Sequence, residues 1–220
     1  MTFTPTLYFS PGAVSMATHI AFEEAGLPYQ LEPILIREGQ QQSERYLKIH
    51  PLGRLPAVEI APGVILTETP ALLSYLADQV PALELLPRET LPRARANEWM
   101  SLLASGVHPT FITHFRPARY TSDEAAMAAL KVDGKQRFQA MLEYIDARLP
   151  EQGHVLGERY SLVDAYVSVF YLWARRIELP AEKLLRYTRL VGQVLARPAV
   201  RRALEQEGFG NLYDPPRAAS

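Results

Sequence analysis

Short apolar runs alternate with amphipathic segments along the first 87 residues of the chain. The run from Thr6 to Phe9 predicts a buried strand. After it, Ala17 and Ile20 lie at helical spacing, and Gly26 can end that helix in the left-handed conformation. The elements predicted further along are a strand over residues 29–36, a short helix over 43–49, a strand pair over 56–60 and 64–66, and a helix from Pro70. The predicted order is therefore β-α-β-α-β-β-α.

From about Leu91 onward the apolar residues recur at helical spacing, and no segment has the pattern of a strand. The proline-rich stretch from Pro81 to Pro92 is the natural linker, and its leucines suggest that it packs down instead of dangling. We therefore predict an α/β domain over residues 1–82, a linker over 83–90 and an all-α domain over 91–220.

Composition and charge argue against several classes of function. Of the 220 residues, 48% are hydrophobic and 21% are charged, and 23 basic and 24 acidic side chains give a formal net charge of −1. This balance argues against a nucleic-acid partner, which normally requires a basic face. The chain has no cysteine, so it has no disulfide, no cysteine nucleophile and no thiolate metal site.

Targeting and membrane signals are not evident in the sequence. The start, from Met1 to Pro5, lacks the basic head and the apolar run of a signal peptide. No apolar stretch approaches the ~18–20 residues that a membrane helix needs. We therefore expect a soluble, cytoplasmic protein with no membrane partner. The tail from Pro215 to Ser220 is expected to fray.

The first candidate for ligand binding is the Leu55-Pro56 step, at the start of a predicted strand. If its peptide bond is cis, the turn presents the N–H and C=O of Leu55 outward, as a donor and an acceptor for an extended peptide lying alongside. The alternative is an ordinary trans proline, which does little harm at a strand start. The pattern alone favours the trans proline.

The second candidate is the segment from Thr67 to Pro70. We expect Thr69 to be the N-cap and Pro70 the first residue of a helix. The free N–H groups and the positive dipole end of this helix favour a ligand carboxylate, and Glu68 beside them would bind a ligand ammonium. Together they would hold the free amino-acid end of a γ-glutamyl group. The alternative is a plain N-cap next to a solvated glutamate.

Two further helix starts carry hydroxyl groups. The segment from Ser10 to Ser15 joins the first strand to the first helix, where the helix dipole and hydroxyl donors would favour an ionised ligand thiol. The alternative for Ser15 is a plain helix cap. Ser161, with Asp164 three residues later, forms a capping box that we interpret as structural. The helix after it is apolar almost all round, which predicts a buried central helix.

Several segments taken together carry a resemblance to a known family. They are Tyr8 to Ser15 with His19 and Ile20, His50 to Ala57, Leu66 to Thr69, Tyr75 to Asp78, Leu103 to His108, Ser161 to Tyr166, and Arg197 to Val200. In this order and spacing they resemble the cytosolic glutathione transferases, and most of all the bacterial beta class, over nearly the whole chain. The resemblance implies a thioredoxin-like N-terminal domain that holds glutathione, followed by an all-α domain that shapes the pocket of the second substrate.

The same resemblance implies roles for individual residues. Pro56 is expected to be cis, Leu55 to pair with the cysteinyl backbone of glutathione, and Glu68 and Thr69 to hold its γ-glutamyl end. Arg54 stands where the family's loop has glutamine, and we consider it for the glycyl carboxylate. Glutathione is the expected co-substrate, and no metal is expected.

Two departures from the family pattern bear on activity. Beta-class members carry a cysteine where this chain has Val14, so their mixed-disulfide chemistry with glutathione cannot occur here. The residue that follows His108 is Pro109 instead of lysine. This change removes an electrostatic partner for the ligand.

The resemblance leaves open which group stabilises the thiolate of glutathione. The candidates are Ser15, which follows the vacated cysteine position, then Ser10 and Tyr8 as alternatives, and His108 from the helical domain. The alternative for His108 is a core or surface histidine, and His19 and His50 are interpreted as structural.

The activity that the resemblance implies is conjugation, in which the thiolate of glutathione attacks an electrophilic carbon of a hydrophobic compound. The alternatives are a glutathione-binding or scaffold protein without turnover, and a glutathione-dependent isomerase or peroxidase. Because members of the family are two-fold dimers, we expect a homodimer.

Overall fold

The structure, a computed structural model, describes residues 3–210. By its contacts this part of the chain divides into two units, one of residues 3–88 with 194–210 and one of residues 89–193. The tail that the sequence predicts to fray lies outside the described residues. The predicted domain boundaries at 82 and 91 remain a prediction.

The first unit is built on a mixed four-stranded sheet in the order β2-β1-β3-β4. β1 and β2 are parallel, and the other two pairs are antiparallel. Its elements are β1 (Thr6–Phe9), α1 (Ser15–Ala25), β2 (Gln30–Pro33), α2 (Glu44–Leu47), β3 (Ala57–Ala61), β4 (Val64–Thr67) and α3 (Thr69–Gln79). The predicted order β-α-β-α-β-β-α is confirmed.

The second strand is shorter than predicted. Its pairing with β1 ends at Phe9 opposite Pro33, and a 3₁₀ turn at Ile36–Glu38 follows soon after. Proline has no N–H to donate to a sheet, which is one reason for the strand to end there. Gly26 ends α1 with φ of 63°, as predicted.

The last helix, α9 (Pro198–Gln206), packs against α1 within the first unit. Just beyond it, the buried carboxylate of Glu207 lies 3.0 Å from His19 Nδ1 and accepts a hydrogen bond of 2.9 Å from the Gly12 N–H. His19 is fully buried in this network, which agrees with its interpretation as structural. The segment directly after α9 thus supports the turn between β1 and α1.

The second unit is helical apart from a single bridge between His154 and Gly157. Its elements are α4 (Thr90–Ser101), a π-helical segment (Leu102–Val107), α5 (His108–Phe115), α6 (Glu124–Arg148), α7 (Leu162–Arg176) and α8 (Leu185–Leu195), whose last two residues fall in the first unit. The π-helical segment was not predicted. α5 and α6 pack so closely that a Cβ at Gly134 would lie 2.5 Å from the backbone nitrogen of His114.

α7 is the central helix of this unit. All of its residues from Leu162 to Ala174 are buried, as predicted. The capping box is also confirmed, since the Asp164 carboxylate accepts a hydrogen bond of 2.7 Å from the Ser161 N–H. Within residues 3–210, no helix is both long and apolar enough to cross a membrane.

Candidate glutathione site

The register of the sheet brings three predicted binding segments to one edge of the first unit. Ala57, the first residue of β3, pairs with Tyr8 on one side and with Thr67 on the other. The end of β1, the start of β3 and the end of β4 therefore meet at this edge. Neighbouring strands lie ~4.8 Å apart, so the edge across these three strands is about 10 Å wide. An extended tripeptide has about the same length.

The Leu55-Pro56 peptide bond lies at the centre of this edge, and it is cis. The alternative of a trans proline is therefore wrong, and the implication of the family resemblance is correct. Among residues 3–210, no hydrogen bond uses the N–H or the C=O of Leu55. The preceding carbonyl, that of Arg54, accepts a hydrogen bond of 2.7 Å from the Tyr46 hydroxyl, while the Arg54 side chain is exposed.

The turn from β4 into α3 differs in detail from the prediction. Thr69 is the first residue of the helix and not its N-cap, and Pro70 is the second. The N-cap is Glu68, whose φ of 67° and ψ of 118° turn the chain from strand to helix within one residue. Its carbonyl accepts from the Leu72 N–H, and its side chain makes no capping bond. The N–H groups of Thr69 and Ala71 therefore begin the helix without intrahelical acceptors.

Glu68 lies at this turn with an exposed side chain, whereas Thr69 is buried. A positive φ at a residue with a side chain costs on the order of 1–3 kcal/mol and is most common at ligand sites. The turn thus presents a carboxylate beside a helix N-terminus, which is the combination that a zwitterionic amino-acid group needs.

The turn between β1 and α1 carries the hydroxyl candidates. Ser15 is the first residue of α1. The N-cap of this helix is Val14, whose side chain makes no capping hydrogen bond. The fully buried Ser15 hydroxyl donates to the Ser10 carbonyl at 3.3 Å and accepts from the Ser10 N–H at 3.2 Å. Ser15 is therefore not a cap of its own helix. It closes the turn by binding both backbone groups of Ser10.

The Ser10 hydroxyl is almost buried and accepts a long hydrogen bond of 3.5 Å from the Ile36 N–H. Tyr8 belongs to a buried cluster with Ile34, Tyr46 and Ala57. Burial raises the pKa of the Tyr8 hydroxyl, and the negative charges of nearby glutamates raise it further. The Tyr8 hydroxyl therefore stays protonated at neutral pH.

His108 lies in the second unit, as the first residue of α5 directly after the π-helical segment. Its half-buried ring lies 5.2 Å from the ring of Trp173 and 6.1 Å from that of Phe170, measured between centroids. π-helical turns inserted into α-helices are frequent at functional sites. His108 is thus held against aromatic rings of the buried helix α7.

Two residues support the loop from His50 to Pro56, which carries Leu55. Neither was predicted from the sequence to have that role. Tyr46 holds the Arg54 carbonyl, and His50 Nδ1 accepts a hydrogen bond of 3.3 Å from the Leu52 N–H. Their rings are stacked, with centroids 6.5 Å apart. Their spacing of four residues, one turn of a helix, is the signal in the sequence that would have paired them.

Two family models match the chain. Residues 12–79 match the N-terminal domain of glutathione S-transferase, and residues 118–205 match its C-terminal domain. The chain is 31% identical over 205 residues to glutathione S-transferase GstA of Escherichia coli O157:H7, a match that covers 92% of this chain and 98% of that protein.

Solved structures agree with these matches. A glutathione transferase homologue from Sulfitobacter with bound glutathione has a TM-score of 0.89 and 31% identity, covering 94% of this chain and 100% of the other. A beta-class glutathione S-transferase of Sphingomonas chungbukensis has a TM-score of 0.82 and 31% identity, covering 93% and 99%.

Proposed function

Because the chain belongs to the glutathione S-transferase family, we propose that it joins the sulfur of glutathione to an electrophilic carbon of a hydrophobic compound. The thiolate supplies the electron pair of the new C–S bond. A leaving group departs from the carbon or, in an addition, the neighbouring carbon takes up a proton. The observation that carries the proposal is the single sheet edge shared by cis Pro56, Glu68 and the turn from Ser10 to Ser15.

In this proposal glutathione lies extended along the sheet edge. The N–H and C=O of Leu55 pair with its cysteinyl backbone, as a further strand would. Glu68 binds the γ-glutamyl ammonium, while the first N–H groups of α3 and the Thr69 side chain bind the γ-glutamyl carboxylate. Arg54, which is exposed, binds the glycyl carboxylate.

Activation of the thiol is the chemical task of the site. A free thiol has a pKa of ~8.5, and lowering it by about two units takes about 2.7 kcal/mol of preferential stabilisation of the thiolate. The start of α1 supplies part of this through its dipole, and a hydroxyl donor supplies the rest. Ser15 is our first candidate for that donor, Ser10 and Tyr8 are alternatives, and His108 is the candidate from the second unit.

One observation favours a second function, glutathione binding without turnover. The Ser15 hydroxyl already donates to the Ser10 carbonyl, and a hydroxyl has only one proton to donate. The changes at Val14 and Pro109 point in the same direction. A glutathione-dependent isomerase or peroxidase is the remaining alternative, since both reactions need the same thiolate.

We further propose a cytoplasmic homodimer of about 50 kDa, twice the 24.7 kDa of one chain. Light scattering at micromolar concentration measures this mass. A monomer would contradict this part of the proposal without affecting the assigned binding site.

The proposed function is tested by titrating glutathione calorimetrically and then assaying the protein with a panel of electrophiles. The panel includes an aryl halide, an α,β-unsaturated ketone, an organic peroxide and a cis-configured diketo acid. Binding with conjugation of a halide or ketone supports the transferase. Binding with peroxide reduction or isomerisation alone supports the corresponding alternative, and binding without any turnover supports the second function. No binding would contradict all of them.

A further inference from the structure

The loop from His50 to Pro56 presents the backbone of Leu55, and side chains from α2 and its end hold this loop in place. The Tyr46 hydroxyl, on a ring that is almost fully buried, donates to the Arg54 carbonyl at 2.7 Å. His50 makes two hydrogen bonds at the other end of the loop. Its carbonyl accepts from the Gly53 N–H at 2.8 Å, and its ring nitrogen Nδ1 accepts from the Leu52 N–H at 3.3 Å.

The middle of the loop packs closely against the segment that precedes α2. Gly53 is buried with φ of 57°, and a Cβ at this position would lie 2.6 Å from the Gln41 carbonyl oxygen. The chain therefore passes directly over the backbone of residue 41 before it reaches the cis bond. Release of the Leu52 N–H would shift the chain within three residues of the Leu55 groups that we assign to the ligand.

The hydrogen bond to the Leu52 N–H requires one protonation state of His50. A neutral imidazole has one nitrogen that accepts, whereas both nitrogens of a protonated ring donate. Protonation of His50 therefore removes the acceptor and places two N–H groups face to face. His50 is 5% exposed, so its protonated ring would also have little water to solvate the added charge.

The charges around His50 connect it to the other half of the binding site. The titratable and charged groups that act on the ring are Glu68 at the start of α3, Arg54 within the loop, and Tyr46, whose ring stacks on it. Burial lowers the pKa of His50 most, the negative charge of Glu68 and a hydrogen bond to the backbone of His50 act in the opposite direction, and Arg54 lowers it slightly. A protonated His50 would therefore compete with the ammonium group of the ligand for the negative charge of Glu68.

We propose that His50 is a positioning residue that allows glutathione to bind only while its imidazole is neutral, because the neutral ring holds the Leu52 N–H and leaves Glu68 to the ligand. The inference rests on the proposed function, since glutathione is the ligand whose binding it controls. It gives a role in binding to a histidine that the sequence pattern alone favours as structural.

The direction of the pH dependence follows from linkage. If glutathione binds only the neutral form, binding lowers the pKa of His50, and the affinity falls as the pH drops below the pKa of the free protein. That pKa lies below the ordinary value of 6.5. Free glutathione does not titrate between about pH 5 and 7, because its carboxylates are ionised and its amine and thiol are protonated there. If the site lowers the pKa of the bound thiol, that change also weakens binding at low pH, and the contribution of His50 is then the difference between the wild type and variants that lack its imidazole.

The test is a calorimetric titration of glutathione at pH 7.5 and at pH 5.0, on the wild type and on three variants. We expect the dissociation constant of the wild type to rise at the lower pH, by up to about tenfold for each pH unit below the pKa of His50 in the free protein. His50→Asn and His50→Gln provide an acceptor that does not titrate, so they should bind better than His50→Ala at pH 7.5 and show a smaller pH dependence than the wild type. His114→Asn, which removes an imidazole from the second unit, should retain the full pH dependence.

A second measurement uses the wild type alone. An NMR titration of its histidine proton resonances against pH gives the pKa of His50. The pKa of His50 should fall when the protein is saturated with glutathione. A wild type that binds glutathione equally at both pH values, or a His50 pKa that glutathione does not change, would overturn the inference and leave the proposed function intact. A wild type that does not bind at pH 7.5 would instead contradict the proposed function.

Discussion

The starts of α7 and α3 have opposite designs. At α7, the Asp164 carboxylate is fully buried and accepts from the N–H groups of Ser161 at 2.7 Å and Val155 at 2.8 Å. At α3, the N-cap Glu68 makes no capping bond, has an exposed side chain and adopts a positive φ. One helix start is closed by the protein's own side chains, and the other is left open.

The difference distinguishes structural polar groups from binding groups. The first N–H groups of a helix have no intrahelical partners, and a carboxylate of the protein or of a ligand can satisfy them. α7 lies in the core of its unit, where only an internal partner is available. α3 starts at the sheet edge beside cis Pro56, where a ligand can supply the carboxylate. This difference is the reason for proposing the start of α3, and not that of α7, as a ligand site.

The largest expected effect is on stability, at the closed helix start. Asp164→Ala leaves the N–H groups of Ser161 and Val155 buried without an acceptor. Each such loss costs about 1–3 kcal/mol, so the free energy of unfolding should fall by about 3–5 kcal/mol. Urea denaturation measures this change. Asp164→Asn, which keeps one carbonyl oxygen, should lose less. Equal stability of wild type and Asp164→Ala would show that the capping box is not needed.

The open helix start should behave in the opposite way. Glu68→Ala and Thr69→Ala should weaken glutathione binding by about 1–3 kcal/mol, because a charged end of the ligand loses a partner. The free energy of unfolding should change by no more than about 1 kcal/mol, since no capping bond is lost. Calorimetry measures the affinity, and Asp164→Asn serves as the control that changes stability without affecting binding. Unchanged affinity in both variants would contradict the assigned site.

The start of α1 lies between these two cases. The Ser15 hydroxyl already binds the backbone of Ser10, and it is also our candidate donor to the thiolate of glutathione. A charge-assisted hydrogen bond from Ser15 would contribute about 1.5–3 kcal/mol, so Ser15→Ala should raise the pKa of the bound thiol by about one to two units. The ultraviolet absorbance of the thiolate, titrated against pH, measures this pKa. Ser10→Ala and Tyr8→Phe are the matched variants. If one of them changes the curve and Ser15→Ala does not, that residue is the donor.

The smallest effect isolates the backbone strain at Glu68. Glycine adopts positive φ without the penalty of a side chain, so Glu68→Gly should be more stable than Glu68→Ala by about 1 kcal/mol. Both variants lack the carboxylate and should lose the same glutathione affinity. Equal stability of the two in urea would mean that the positive φ of Glu68 costs the protein nothing.

The accuracy of the sequence-based predictions followed the range of the interactions involved. The capping box at Ser161, the glycine cap at Gly26 and the buried face of α7 depend on residues within a few positions of each other, and all three were predicted correctly. The prediction of Thr69 as N-cap was wrong because β4 ends at Thr67 and the whole turn is made at Glu68, so that Thr69 is already helical. The partner of the Ser15 hydroxyl was missed because it is the backbone of Ser10, which any residue could provide.

The sequence by itself determined the order of the elements, the apolar faces and the segments that carry binding chemistry, since periodicity and turn residues are local properties. Only the tertiary structure decided that Ser10, Leu55 and Glu68 meet at one edge, because that follows from the pairing of β3 with both β1 and β4. It also decided that Glu207, directly after α9, supports the β1–α1 turn, through a hydrogen bond from the Gly12 N–H. Such contacts join residues far apart in the chain, and their geometry is fixed by the packing of the whole unit.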